Sequence, residues 1–265
     1  MASRTCSALW LLVLLAWRPV FLSPRADIRG RCRQSKAISA RAMSNDDLKV
    51  LQSRIEEIKQ RPTLPIIMVD SMLPGQRLVF RANNEELADL AEEGLVGVLG
   101  QPSRRPTPAV VGVTAKLTSR GLYEWELKAE RVFQVISQPE LEGKITRAKV
   151  EFLDEPVSED DIQLAEAIPV LVDEWQQALL EHKAERYEGQ LKDILKDLGE
   201  MPSTIDANRL AFWAAALVNP LPALGVALEI RPAVLEAPSV KERIQIVRQG
   251  LRGSIEHISG RKRLF

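Results

Sequence analysis

Cysteine and histidine are nearly absent from this 265-residue chain, and their scarcity excludes several kinds of site. There are two cysteines, Cys6 and Cys32, and two histidines, His182 and His257. Both cysteines lie in the amino-terminal stretch, so residues 44–265 offer no thiol for a disulfide framework, a nucleophile or a zinc ligand. Two isolated histidines without an HExxH pattern make a poor metal set, and we expect each to be structural or exposed.

Sequence patterns that bind phosphate or activate a nucleophile are also missing. The chain contains no GxxxxGK[ST] loop and no GxSxG elbow. Its GxxGxxG run, "GLVGVLG", lacks the dinucleotide spacing, and we interpret these glycines as bulges or turns that allow close backbone approach. The acidic run "DEPVSEDD" is placed to cap a helix, where carboxylates face the positive end of the dipole. The sequence therefore predicts no catalytic residue, no cofactor and no metal, although a serine and a lysine brought together by folding stay an open alternative.

Net charge is zero, with 36 basic and 36 acidic residues, but the charges are unevenly distributed. Residues 1–43 hold eight Lys and Arg against one acid, which leaves 28 basic and 35 acidic residues in the rest of the chain. A domain that binds a nucleic-acid duplex usually carries a basic excess or stripe. We therefore expect no nucleic-acid partner.

The amino-terminal 43 residues have the composition of a targeting segment. Ala8–Trp17 is an uninterrupted apolar run after Arg4, too short to span a bilayer comfortably, and it predicts a signal peptide over 1–22. Residues 23–43 are rich in Arg and poor in acids, as transit peptides are. Together with "FLSP", this resembles the bipartite leaders of algae with complex plastids. We expect plastid import, with the secretory pathway or the mitochondrion as alternatives, and no stable membrane span once the leader is removed.

Hydrophobic periodicity divides the remainder into a β part and a helical part. Residues 44–62 show an apolar face at helical spacing and predict a lead-in helix that ends at a proline. Over 63–156 the period becomes two, with five to seven short strands and one helix around "NNEELADLAEE". Over 157–258 the period returns to 3.6, and 259–265 is a basic tail. The predicted class is α+β: a small β-barrel or sandwich followed by a helical bundle.

Within the β part, "PAVVGVTAKLTSRGLYEWELKA" predicts a hairpin. Tyr123, Trp125, Leu127 and Ala129 alternate with charged residues and are expected to share one core face.

Within the helical part, Ser158 and Asp161 have the spacing of a capping box. The helix should restart near Pro169. Apolar residues from Leu171 to Leu198 then predict one helix of about eight turns.

Several segments, in order, resemble the LON domain, the amino-terminal substrate-binding domain of the ATP-dependent Lon proteases. The segments that carry the resemblance are "LPIIMVDSMLPGQRLVF", "GLVGVLG", "AVVGVTAKL", "AERVFQVIS", "RAKVEFLDEP", "DANRLAFWAAALV" and "EIRPAVLEAPSVKERIQIVRQGL". They cover about residues 63–252, and the chain departs from the family pattern at Glu130, Asn208 and Pro169. The resemblance implies a PUA-like β subdomain with helices, standing alone without the ATPase and peptidase modules.

The resemblance further implies a non-enzymatic protein that recognises polypeptide clients or a protein partner, and an adaptor to a separate protease is one form of this hypothesis. Binding would use an apolar groove between the β part and the helices, or an exposed sheet edge. Met72 and Leu73, on the loop after the first strand, are candidate protein-binding residues. Phe212 and Trp213 are also candidates, although a core position is the default for aromatic residues in the middle of a helix. The alternatives are a cryptic hydrolase and a PUA-like RNA-binding module.

Overall fold

The fold is described from a computed structural model. The structure describes residues 56–57, 60–81, 90, 93–100, 110–121, 123–221 and 224–261. The predicted signal peptide, the transit-like segment, most of the lead-in helix, most of the "NNEELADLAEE" helix and the last four residues lie outside this part of the chain. Among the described residues, no helix combines the length and the apolarity needed to cross a bilayer.

Seven strands form one mixed sheet. They are β1 Thr63–Val69, β2 Arg77–Arg81, β3 Leu95–Gly100, β4 Val111–Arg120, β5 Glu124–Val135, β6 Glu140–Glu142 and β7 Ile145–Phe152. Their order is β2-β5-β4-β3-β1-β7-β6, and an additional β5–β7 pairing joins the two ends of the central five. Strands β5, β4, β3, β1 and β7 therefore close into a small barrel, as the sequence predicts. β1 and β3 are parallel, and the other pairs are antiparallel.

The barrel interior is filled around the ring of Phe133, which is fully buried with Leu64, Ile66, Leu99, Ala148 and Val150. Gly97 faces this ring: a Cβ there would stand 2.9 Å from Phe133 Cζ and 2.6 Å from Ile66 Cδ1. Gly97 pairs regularly with both neighbouring strands, so the interpretation of it as a bulge or turn is wrong. Its missing side chain makes room for an aromatic ring, which is close approach rather than a turn.

The predicted β4–β5 hairpin is present, with one correction to its core face. Trp125, Leu127 and Ala129 are buried as expected, but Tyr123 is 76% exposed. Strand β5 begins only at Glu124. Tyr123 therefore belongs to the turn, where the two-residue alternation that supported the prediction has not yet begun.

Six α-helices follow the sheet in the described residues. They are α1 Glu159–Ala165, α2 Ala167–Glu181, α3 Gln190–Leu198, α4 Ala207–Val218, α5 Arg231–Glu236 and α6 Val240–Ile258. A short 3-10 turn, Thr204–Asp206, precedes α4. Helix α4 is buried on nearly every side, as its almost continuous apolar sequence requires, and it packs against α6.

The helix restarts ahead of Pro169, as predicted, since Glu166 separates α1 from α2 and Pro169 lies in the first turn of α2. The single helix predicted from Leu171 to Leu198 is wrong. The chain leaves the helix at His182, and Lys183 and Gly189 adopt positive φ angles before α3 begins. The intervening "EHKAERYEG" has no apolar stripe to bury, and a helix in water depends on such packing for most of its stability.

Ser158 and Asp161 form the predicted capping box at the start of α1. The Asp161 N–H donates to Ser158 Oγ at 3.3 Å, and the Ser158 N–H donates to Asp161 Oδ2 at 3.0 Å. The Asp161 N–H also donates to the Ser158 carbonyl at 3.1 Å, and the Ser158 N–H gains its acceptor from the box. The last three acids of the run, Glu159–Asp161, therefore lie in the first turn as expected, whereas Asp154 and Glu155 pair with arginines.

We expect Ser158→Ala to lower the free energy of unfolding by about 1 kcal/mol, because the cap hydrogen bond is lost. Urea denaturation followed by circular dichroism measures the change. Ser203→Ala is the matched control, since Ser203 precedes the 3-10 turn without a side-chain cap bond. Equal effects at the two positions would contradict the capping role.

Candidate functional site

Met72 and Leu73 are not presented to a partner. Their side chains are 1% and 0% exposed and belong to the main hydrophobic cluster. The prediction that this loop offers them for protein binding is therefore wrong. Two large apolar side chains on a short loop beside a helical subdomain are more stable in the core than in water.

The same loop joins the β part to the helices through Gln76, which is buried. Gln76 Nε2 donates to the carbonyl of Asn219 at 2.9 Å, beyond the last turn of α4. The Leu73 N–H in turn donates to Gln76 Oε1 at 2.8 Å. The loop therefore occupies the space between the two parts, so a binding groove is not found at this position in the described residues.

Phe212 and Trp213 are buried in α4, and the prediction that they anchor a partner is also wrong. Trp213 Nε1 donates to the carbonyl of Gly199 at 3.2 Å. The guanidinium of Arg243 stacks over the Phe212 ring, 4.5 Å from its centroid. Both rings are core residues, which is the default for aromatic residues in an apolar helix.

Arg243 is the most deeply buried charge in the described part of the chain, at 1% exposure. It lies in α6 and forms a double hydrogen bond with Glu155, from the end of the β part, at 2.6 and 3.3 Å. Asn208 Oδ1 accepts a third bond at 2.6 Å, so this departure from the family pattern has a structural role. Carbonyls of Val234 and Ala237 accept two more. This cluster holds the β part against three elements of the helical part.

Strand β2 has an outer edge that no described strand covers. Within the described residues it pairs with β5 alone, at one end of the strand order. The Ala129 N–H donates to the Gln76 carbonyl, and the Ala129 carbonyl accepts from the Gly75 N–H. Hydrogen bonding alternates along an antiparallel ladder, so Leu78 and Phe80 bond to β5, while the backbone groups of Val79 point outward.

An apolar pocket lies beside this edge. It is small, with a cavity volume of about 10 Å³, and is lined by Ile67, Phe80, Leu90, Gly94, Val96, Leu117, Trp125 and Leu127. The rings of Phe80 and Trp125 meet edge to face, with centroids 6.1 Å apart. The guanidinium carbon of Arg120 lies 5.4 Å from the centroid of the Trp125 ring. The exposed Tyr123 lies in the turn that joins their two strands. Aromatic walls of this kind suit contact with an apolar group at the surface, although the cavity is too small to enclose a side chain.

Charged residues cover the other face of the same strands. Arg77 pairs in register with Lys128, and Lys128 with Lys116, so three cations stand in one row across β2, β5 and β4. Arg77 also contacts Glu126 at 3.1 Å and Asp197 of α3 at 3.6 Å. Strand β2 therefore has an apolar face toward the pocket and a predominantly basic face toward solvent.

Arg147 of β7 binds Glu93, the residue just before the pocket-lining Gly94. Its hydrogen bond lowers the pKa of the Glu93 carboxyl from its ordinary value. This ion pair ties the chain ahead of β3 to the barrel.

No arrangement for metal chemistry occurs among the residues that the structure describes, since no three His, Cys, Asp or Glu side chains are grouped to hold an ion. His182 is exposed at the end of α2, and His257 is partly buried near the end of α6.

Sequence reasoning named a sheet edge as a possible site but did not identify the strand. The stretch "RLVFR" could have indicated it, because it has an apolar core between two arginines, and charged residues often protect edge strands. Pairing with β5 alone is a tertiary property, so the pattern by itself gave no reason to prefer β2.

No family model and no curated protein matches the chain. Solved structures do match. The amino-terminal domain of a Mycobacterium avium complex Lon protease is 16% identical, with a TM-score of 0.54, over 72% of this chain and 98% of that domain. The Lon N-terminal domain protein from Xanthomonas campestris is 15% identical, with a TM-score of 0.43, over 69% and 95%. The first match confirms the resemblance found in the sequence: the chain has the fold of the Lon N-terminal domain.

Proposed function

We propose that this domain recognises extended polypeptide segments, without catalysis, by adding them as a further strand to β2. The observation that carries the proposal is the outer edge of β2, which no strand of the described residues pairs with, beside a small apolar pocket. The Lon N-terminal fold supports a recognition role in general, because the LON domain is the substrate-binding part of Lon proteases.

In strand addition, backbone hydrogen bonds provide affinity and side-chain contacts provide specificity. The outward N–H and C=O groups of Val79 would hydrogen-bond to the client, which gives affinity for any extended segment without a proline at that point. Client residues opposite Leu78 and Phe80 share the apolar face of β2. They would lay an apolar side chain across the mouth of the pocket, which is too small to enclose one. Unfolded chains display such segments, whereas folded proteins bury them.

Our proposal includes a plastid location and delivery of clients to a separate protease. The location is supported by the bipartite composition of residues 1–22 and 23–43. Delivery is supported by the recognition role alone, in a chain whose sequence shows neither a phosphate-binding loop nor a nucleophile elbow.

We expect Val79→Pro to weaken peptide binding at least tenfold while leaving the fold intact. Proline removes the outward N–H that a client strand would use, and no hydrogen bond to β5 is lost at this position. Fluorescence anisotropy with a labelled decapeptide of alternating leucine and serine measures the affinity.

Val79→Thr is the matched control, because it keeps the N–H and the β-branched shape, and it should bind like the parent. Thermal unfolding of both variants checks that the barrel is retained. A Pro variant that folds and binds as well as the Thr variant would overturn strand addition at β2. Slower amide exchange at Val79 on peptide addition would support it.

A further inference from the structure

The charged residues of β2 indicate which extended chains this edge would bind. We infer that the β2 edge selects client segments with acidic side chains at alternate positions, and that its own basic residues prevent two copies of the domain from pairing through it. This inference rests on the proposed strand addition, and it specifies the chemistry of the occupant.

Strand β2 contains two cations, Arg77 and Arg81, and no acid. A strand added to β2 has these residues as its direct cross-strand neighbours. Opposite charges at facing positions of a sheet stabilise the pairing, and like charges destabilise it. Lys128 and Lys116 continue the row behind Arg77 and add to the positive potential at that end.

The acids nearby partly neutralise these cations: Glu124 of β5 lies directly opposite Arg81, and two more acids contact Arg77. Arg77 contacts Glu126 at 3.1 Å, but its contact with Asp197 is long, at 3.6 Å, and half of the Asp197 side chain is exposed to water. The guanidinium has five donors in a planar fork, so it is able to donate to a further carboxylate from a client. Among the described ion pairs, none involves Lys116 or Lys128, so no described carboxylate neutralises these two charges.

Alternation along the client fixes which of its residues meet these charges. Residues opposite Arg77 and Val79 lie on the solvent face, while those opposite Leu78 and Phe80 lie on the pocket face. The segment that satisfies both faces alternates acidic and apolar side chains. A basic and apolar segment would satisfy the pocket but repel β2.

A second copy of the chain fits this edge poorly. Antiparallel self-pairing centred on Val79 would place Arg77 of each copy opposite Arg81 of the other, which makes two like-charge pairs. Such charges are a common protection of edge strands against self-association. Charge complementarity therefore favours an acidic client over a homodimer.

Three labelled decapeptides test the inference: leucine at alternate positions, with glutamate, serine or lysine between. At low salt, the purified chain should bind the glutamate peptide about tenfold more tightly than the serine peptide, and the lysine peptide more weakly still. The preference should shrink as salt rises, because exposed charges are screened. Arg77→Gln should reduce the glutamate-to-serine ratio to about threefold. Arg252→Gln, the same change at an exposed arginine of α6, should leave the ratio unchanged.

The outcomes separate the two proposals. Equal affinity for the three peptides, a preference for lysine, or an unchanged ratio in Arg77→Gln overturns the acidic preference but leaves strand addition standing. Failure of all three peptides to bind overturns strand addition itself, and the acidic preference with it. Concentration-dependent self-association of the parent, abolished by Val79→Pro, overturns the inference as well, since β2 would then pair with a second copy.

Discussion

Arg243→Met is expected to lower the free energy of unfolding by about 3–5 kcal/mol, the range found when one partner of a buried ion pair is removed. Five hydrogen bonds converge on this guanidinium, and only 1% of Arg243 is exposed. Methionine fills much of the volume but leaves the Glu155 carboxylate and Asn208 without their donor. Chemical denaturation followed by tryptophan fluorescence measures the loss.

The size of this effect follows from what remains after the change. The Glu155 side chain is 25% exposed, so water reaches part of it, but two buried carbonyls lose their only described side-chain donor. Unpaired buried polar groups cost about 1–3 kcal/mol each. Phe212 also loses the cation that stacks on its ring.

Two variants separate this role from a simple loss of charge. Arg252→Met removes an exposed arginine of the same helix, and we expect it to lower the free energy of unfolding by less than about 0.5 kcal/mol. Arg243→Lys keeps the charge but has three donors in place of the planar fork. It should therefore still lower the free energy of unfolding by more than Arg252→Met does. A loss for Arg243→Met no larger than that for Arg252→Met would show that the cluster does not hold the two parts together.

Gly112→Ala is expected to destabilise the barrel by about 3 kcal/mol, at the upper end of overpacking effects. A Cβ at this position would stand 2.2 Å from the Val98 carbonyl oxygen and 2.7 Å from Leu99 Cδ2. The first neighbour is backbone of the paired strand β3, so no side-chain rotation relieves the clash. The two strands must separate next to the ring of Phe133, which would lie 3.2 Å from the new methyl group.

Gly253→Ala is the control for the glycine change itself. Gly253 lies within α6, and a Cβ there meets no atom within 4 Å. Alanine should stabilise the protein by up to about 1 kcal/mol through helix propensity. Thermal unfolding of both variants gives the comparison, and equal midpoints would contradict the close approach of β4 to β3.

Much of the fold could be predicted because local patterns reported it directly. The change of hydrophobic period near Pro156 separated strands from helices, and the Ser158 cap and the break before Pro169 followed from local hydrogen bonding and backbone sterics. The failures were also local in origin. Tyr123 extends an apolar alternation into a turn, and the apolar stripe from Leu171 to Leu198 is interrupted between the two helices, where the residues bury little apolar surface.

The candidate site was less predictable because it depends on which strand is left without a second neighbour. Met72 and Leu73 have the sequence of an exposed loop, yet the helical part covers them. Whether a loop residue is buried depends on elements more than a hundred residues away, such as the end of α4 that receives Gln76.

The sequence by itself determined the class of this protein, its β part and helical part, and its Lon N-terminal resemblance, because periodicity and motif order are local properties. The tertiary structure alone decided that the first loop fills the space between the two parts, that Arg243 joins them, and that β2 has an edge with no strand partner among the described residues. These features arise from contacts between residues far apart in the chain, and local patterns carry no record of such contacts.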